Sequence, residues 1–207
     1  MIAVLDYGIG NLRSAQKGLE RVAAPGTEVR LVTGPDGADG ATGVVLPGVG
    51  AFGACMSALR ASGLDAVATD AVGAGTPFLG VCIGMQMLFE GSDEDPGVRG
   101  LGVLAGRVRL LSGDVKRPQM QWNRLCLRAP DDPLLAGIGG GDWVYFNHSY
   151  AADANAGVVL ATTDYGGPVV SVVGAGRMWA TQFHPEKSGP VGLRLLANFA
   201  AIATGER

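Results

Sequence analysis

Histidine is nearly absent from this chain: His148 and His184 are the only two in 207 residues. Cysteine is scarce too, with Cys55, Cys82 and Cys126. An odd number without close pairs argues against a disulfide framework or a zinc site. Charged residues make up only 17% and the net charge is −3, which gives no footing for nucleic acid or an anionic membrane as partner. No apolar run approaches the ~20 residues of a membrane span. The opening MIAVLDYG has no basic region before its apolar run and turns polar at Asp6, so it reads as a strand and not a signal peptide. Internal repeats and low-complexity linkers are missing as well. Together these absences predict a soluble protein of a reducing cytoplasm.

What is present is apolar residue and glycine. At 47% hydrophobic the chain should be globular, and its length suits one domain over residues 1–207. The 34 glycines are scattered and favour many tight connections. The first half alternates. Strand patterns at Ile2–Tyr7, Glu28–Val32, Gly43–Gly48 and Thr76–Val81 are interleaved with helical patterns at Asn11–Val22, Phe52–Ser62, Leu64–Val72 and Cys82–Phe89. That order predicts βαβ units and a parallel sheet covered on both faces. The second half reads as strands at Gly106–Leu111, Gln121–Leu127, Asp142–Tyr150, Gly157–Tyr165, Pro168–Gly176 and Arg177–Phe183, then a helix over Val191–Ala203. Gly-Gly-Pro and Gly-Ala-Gly breaks suggest antiparallel hairpins. The expected fold is α/β: a mostly parallel central sheet flanked by helices and extended by antiparallel strands.

Two stretches carry chemistry. In TQFHPEKSG, a proline separates His184 from Glu186. Residues i and i+2 of an extended chain share a side, and the proline keeps His184 out of the α region. A carboxylate beside an imidazole is the base and orienter of a triad. Alone, the stretch fits a solvated loop equally well. The second is GVCIGM, with Cys82 between an apolar strand and a helix, flanked by Gly80 and Gly84. That is the setting of a nucleophile elbow, and a helix start favours the thiolate. The competing role is a buried packing cysteine. It suits Cys55, in a helical run, and Cys126, in an alternating strand, better than Cys82. His148 has no acid beside it, so the internal evidence favours Cys82–His184–Glu186.

Two glycine-rich loops are weaker signals. LPGVGAFG can aim peptide N–H groups at a developing oxyanion, or be an ordinary turn. DYGIGNLR begins like a dinucleotide loop, but Arg13 stands where the third glycine belongs.

Gly80–Gln86 together with His184-Pro-Glu186 resembles the class I (triad) glutamine amidotransferases, and Pro47–Gly50 resembles their oxyanion loop. Within that class, DYGIGNLRS, LPGVG, QMQWN, YFNHSY and QFHPEKSG resemble, in order, the sequence blocks of the glutaminase subunits of imidazole glycerol phosphate synthase. The resemblance implies a flavodoxin-like domain that hydrolyses L-glutamine through Cys82, His184 and Glu186. Backbone groups at Val49, Gly50 and Ile83 would hold the oxyanion. Gly48, Met85, Gln86, Glu94, His148, Ser149 and Tyr150 would form the glutamine site. Asn11, Trp122, Tyr145 and Lys187 would lie at or near the face of a (β/α)8-barrel cyclase, the partner in a heterodimer. That partner would use the ammonia on a phosphoribulosyl-formimino carboxamide nucleotide, yielding imidazole glycerol phosphate and an aminoimidazole carboxamide ribonucleotide. No metal or organic cofactor is implied. Activity would be gated, slow until the partner carries its ligand.

Departures from the family pattern fall at Gln119, Gln121 and Asn147, beside the site or the partner face. Three rivals stand: a glutaminase serving another synthase, a cysteine hydrolase of another amide or ester, and a non-catalytic module of the same fold.

Overall fold

Apolar strands and helical stripes are interleaved through the first half of the computed structural model, which describes residues 1–206. The order is β1 (Ile2–Leu5), α1 (Leu12–Val22), β2 (Val29–Val32), β3 (Gly43–Gly48), α2 (Phe52–Ala61), α3 (Leu64–Gly73), β4 (Phe78–Cys82) and α4 (Ile83–Gln86). All of β1, β3 and β4 is buried, as continuous apolar runs between two helical layers demand. α1 buries only Ala15 and Leu19, four residues apart on one stripe.

Strands dominate the rest: β5 (Gly91–Ser92), β6 (Asp95–Arg99), β7 (Gly106–Leu110), β8 (Gln119–Arg124), β9 (Cys126–Leu127), β10 (Trp143–His148), β11 (Tyr150–Ala154), β12 (Val159–Asp164), β13 (Pro168–Ala175) and β14 (Met178–Thr181). Helix α5 (Gly189–Thr204) follows and packs beside α1. The main sheet has the order β2-β1-β3-β4-β14-β13-β12-β9. Pairing is parallel from β2 to β14 and antiparallel from β14 to β9. The hairpins predicted at the Gly-Gly-Pro and Gly-Ala-Gly breaks are present as β12–β13 and β13–β14.

Four expectations need correction. The helix after Cys82 stops at Gln86 instead of running to Phe89. Met87, Leu88 and Phe89 are fully buried, and their carbonyls accept from Leu101, Leu104 and Gly102. Beyond Met87 the N–H groups of Leu88 and Phe89 bond only three residues back, to Met85 and Gln86, so the α pattern gives way to tight turns held by those long-range contacts. Second, not every antiparallel strand extends the central sheet. β8 and β10 form a separate pair, and β11, β7, β5 and β6 a separate four-stranded sheet. Third, the runs read as Gln121–Leu127 and Asp142–Tyr150 each divide between two sheets, at Leu125 and Ser149. Finally, Cys126 is exposed, so it does not pack in a core, whereas Cys55 is buried.

Candidate active site

Strand β4 delivers Cys82 to the carboxyl edge of the parallel sheet, and the chain turns there at once into α4. Cys82 has φ 55° and is the only non-glycine residue at positive φ among the described residues. Such strain persists only where the surroundings over-determine it. A Cβ on Gly84 would overlap the carbonyl of Leu46 on β3, and one on Gly80 would lie 2.9 Å from the Gly84 carbonyl oxygen. The two flanking glycines therefore let α4 pass against the sheet so tightly that the intervening thiol is thrust outward.

His184 reaches the same edge from the segment after β14. It is extended (φ −95°, ψ 98°), as the following proline requires. Its N–H donates to the Tyr145 carbonyl at 3.0 Å and its carbonyl accepts from Ser188 Oγ at 2.6 Å. The imidazole Nδ1 lies 2.9 Å from Glu186 Oε1, and both side chains are almost wholly buried. With Nδ1 given to the carboxylate, Nε2 is the nitrogen left to serve the neighbouring Cys82. Burial by itself would lower the imidazole pKa. The hydrogen bonds and charges of Cys82 and Glu186 overcome it and carry the pKa up to about 10. A base held between a thiol and a carboxylate in a strained, water-poor corner is equipped for nucleophilic acyl transfer.

A cavity of about 270 Å³ opens over this pair. Val49, Gly50 and Ile83 line it beside Cys82 and His184, with Gln86, Glu94, His148, Ser149 and Tyr150 on the remaining wall. Gly48 and Met85 are outside the lining, and Met85 is fully buried. Glu94 Oε2 also accepts from Phe52 N at 2.8 Å, which caps α2. His148 donates Nδ1–H to the Tyr150 carbonyl at 2.8 Å. Burial, chiefly, and the neighbouring His184 push its pKa down to about 4, so it is neutral.

Of the residues expected at a partner face, Lys187 is at the cavity mouth, and Trp122 packs edge-on against Tyr145, 6.0 Å between ring centres. Asn11 borders a small void beside His184 and Glu186. The three departures differ in their surroundings. Gln121 and Asn147 are exposed, so neither bulky polar group enters the core. Gln119 is fully buried, with neither end of its amide paired. Sequence reasoning missed Gln182, whose amide nitrogen is 3.8 Å from Cys82 Sγ. It also missed Pro118 and Asn147 as cavity lining. In DYGIGNLR, Gly8 N–H donates to Asp6 Oδ1 at 3.0 Å, a turn role for that loop. Among the described residues no His, Cys, Asp and Glu side chains cluster so as to hold a metal ion.

A family model described as "Glutamine amidotransferase class-I" matches residues 4–203. The chain belongs to the class-I glutamine amidotransferases. Within this class it is 50% identical over 204 residues to the imidazole glycerol phosphate synthase subunit HisH of Synechococcus sp. (strain JA-3-3Ab), covering 96% of this chain and 92% of that protein. It is 47% identical to the HisH subunit of Deinococcus radiodurans, covering 96% and 92%. At such identity the chain is a HisH-type member of the amidotransferase class. Two solved structures share the amidotransferase fold. A crystal structure of glutamine amidotransferase has a TM-score of 0.76 at 23% identity, covering 98% of both chains. PurLQS from Thermotoga maritima has a TM-score of 0.74 at 21% identity, covering 96% of both.

Proposed function

We propose that this HisH-type chain is a single cytoplasmic glutaminase domain that feeds ammonia to the cyclase subunit of imidazole glycerol phosphate synthase in histidine biosynthesis. The observation that carries the reading is His184 held between Glu186 and Cys82 at the floor of a cavity. The Cys82 thiolate attacks the side-chain amide carbon of glutamine, and the carbonyl electrons move onto oxygen. Peptide N–H groups around Val49 and Gly50, and that of Ile83 directly after the nucleophile, stabilise this oxyanion. Imidazolium His184 gives its proton to the departing amine, the C–N bond breaks, and ammonia leaves a glutamyl thioester. Water then attacks the thioester while His184 takes its proton, and glutamate and the thiolate are released. Glu186 keeps Nδ1 protonated so that Nε2 does the shuttling. The chemistry calls on no metal or organic cofactor.

The wall of Gln86, Glu94, His148, Ser149 and Tyr150 holds the α-amino and α-carboxylate ends of glutamine. The cyclase docks over Trp122, Tyr145, Lys187 and Asn11. Trp122 is 47% exposed despite its size, which suits a residue covered by a partner. Gating is sited in the oxyanion loop. Gly50 has φ 94° and open space around it, so its peptide can rotate cheaply. The test is glutamine hydrolysis with the chain alone, with the cyclase, and with the cyclase plus its nucleotide. Slow turnover alone and strong acceleration by the loaded partner are expected. Equal rates would remove the gating, and no turnover in any arm would remove the glutaminase reading.

A further inference from the structure

The carbonyl of Tyr150 sets the direction of a buried hydrogen-bond chain that ends at the nucleophile. A carbonyl only accepts. His148 Nδ1 and Gln86 Nε2 approach it at 2.8 and 2.9 Å, so both are donors. That orients the Gln86 amide. The same Nε2 lies 3.1 Å from Gln182 Oε1, so the oxygen end of Gln182 is taken. The end of Gln182 left facing Cys82 Sγ, at 3.8 Å, is therefore its NH2. Gln182 is fully buried, its backbone N–H donates to the Ser171 carbonyl at 2.9 Å, and it stands two residues before His184 on the same segment. Its side chain is thus as fixed as the base itself.

We infer that Gln182 is a further catalytic residue: its amide N–H stabilises the Cys82 thiolate, and Gln86 is the positioning residue that keeps that N–H aimed at the sulfur. A neutral thiol is a weak acceptor and an anionic sulfur a strong one, so the contact favours the charged form. Gln86 and Gln182 are both buried, and the lower local dielectric strengthens each bond of the chain. The titratable groups close enough to feel the charge of Cys82 are His184 from the β14–α5 segment, Tyr7 after β1 and Cys55 on α2. Gln182 is the neutral donor among them, and its effect does not vary with its own protonation. Gln86 Oε1 is buried and unpaired, and Gln86 lines the cavity. A ligand N–H given to that oxygen polarises Gln86 and, through it, Gln182. The wall that recognises glutamine is in this way wired to the atom that attacks it. This rests on the glutaminase reading for the identity of the ligand, but not for the effect on the sulfur.

The test is alkylation of Cys82 by iodoacetamide as a function of pH, followed by mass spectrometry of the Cys82 peptide. The reagent is small and does not use the glutamine wall. Gln182→Leu is expected to slow alkylation at neutral pH about tenfold and to displace the rate profile to higher pH. Gln182→Glu, nearly isosteric, displaces it further because a carboxylate then faces the sulfur. Gln86→Leu shifts it in the same direction by less, although it does not touch the sulfur. Thermal melts establish that each variant is folded; if Gln182→Leu does not fold, Gln182→Glu decides. Unchanged profiles in the Gln182 variants overturn the proposal, and a shift confined to them overturns the role of Gln86. Failure of the wild-type chain to hydrolyse glutamine would be a separate result, against the glutaminase reading, and leaves the alkylation readout intact.

Discussion

The Tyr7 phenol donates to the carbonyl of Pro47 at 2.7 Å, tying the segment after β1 to the end of β3. Two residues on, the Cys55 thiol donates to the Val49 carbonyl at 3.2 Å. Burial and then the adjacent Cys55 push the Tyr7 pKa up, so the phenol stays a donor across the working range. Two carbonyls of the candidate oxyanion loop are thus held from beneath by side chains of the core.

Tyr7→Phe removes the donor and leaves the Pro47 carbonyl buried without it. A stability loss of ~1–3 kcal/mol is expected, the cost of an unsatisfied buried acceptor. Tyr165→Phe is the control, since its bond to the Lys116 carbonyl is solvent-exposed and should count for less. Urea unfolding midpoints of the two variants make the comparison.

Gly84→Ala should be among the more damaging methyl additions in this chain. Its Cβ would meet the Leu46 carbonyl, so β3 and α4 must separate, at a cost of roughly 2 kcal/mol or more. Gly73→Ala, exposed at the end of α3 with open space at its Cβ, should be neutral or stabilise by up to about 1 kcal/mol. Melting temperatures that fall equally in both would contradict the close approach.

Glu186→Gln retains volume and loses the charge that orients His184. We expect kcat for glutamine to fall by about 10²–10⁴, the range for a disabled acid–base group. KM should change little, because Glu186 is not part of the cavity wall. Steady-state kinetics of the cyclase-activated complex provide the measurement.

His148 makes stability depend on pH with a definite sign. Its pKa is near the ordinary 6.5 when unfolded and about 4 when folded. Between those values the unfolded chain binds the extra proton, so stability falls as pH is lowered, by on the order of 3 kcal/mol in all. His184 acts in the opposite sense in another window: its folded pKa is raised from 6.5 to about 10, so its contribution is lost as pH rises through that range. His148→Gln should flatten the acid side and leave the alkaline side as it is, which denaturant titrations across pH will show.

Local patterns were legible wherever the chain alone constrains them. The strand Gly43–Gly48 has its expected bounds, because a fully apolar run stopped by Pro-Gly needs no further information. The elbow followed from its two glycines. The His184–Glu186 contact was anticipated from their spacing, but not its geometry: only His184 is extended, and a 3-10 turn over Pro185–Lys187, not an extended run, brings the carboxylate to Nδ1. The end of α4 was not legible, since Met87–Phe89 continue an apolar pattern that suits a helix and a buried turn equally.

The sequence by itself therefore singled out the candidate reactive residues and the turn that exposes Cys82, through φ restrictions and side-chain period, both of which act over a few residues. Tertiary structure alone decided what those residues touch. Cys82 meets Gln182 across 100 positions, Gln86 meets the Tyr150 carbonyl across 64, and Tyr7 meets Pro47 across 40. Such contacts depend on strand order and on where a buried donor finds its acceptor, and neither leaves a periodic trace in the chain.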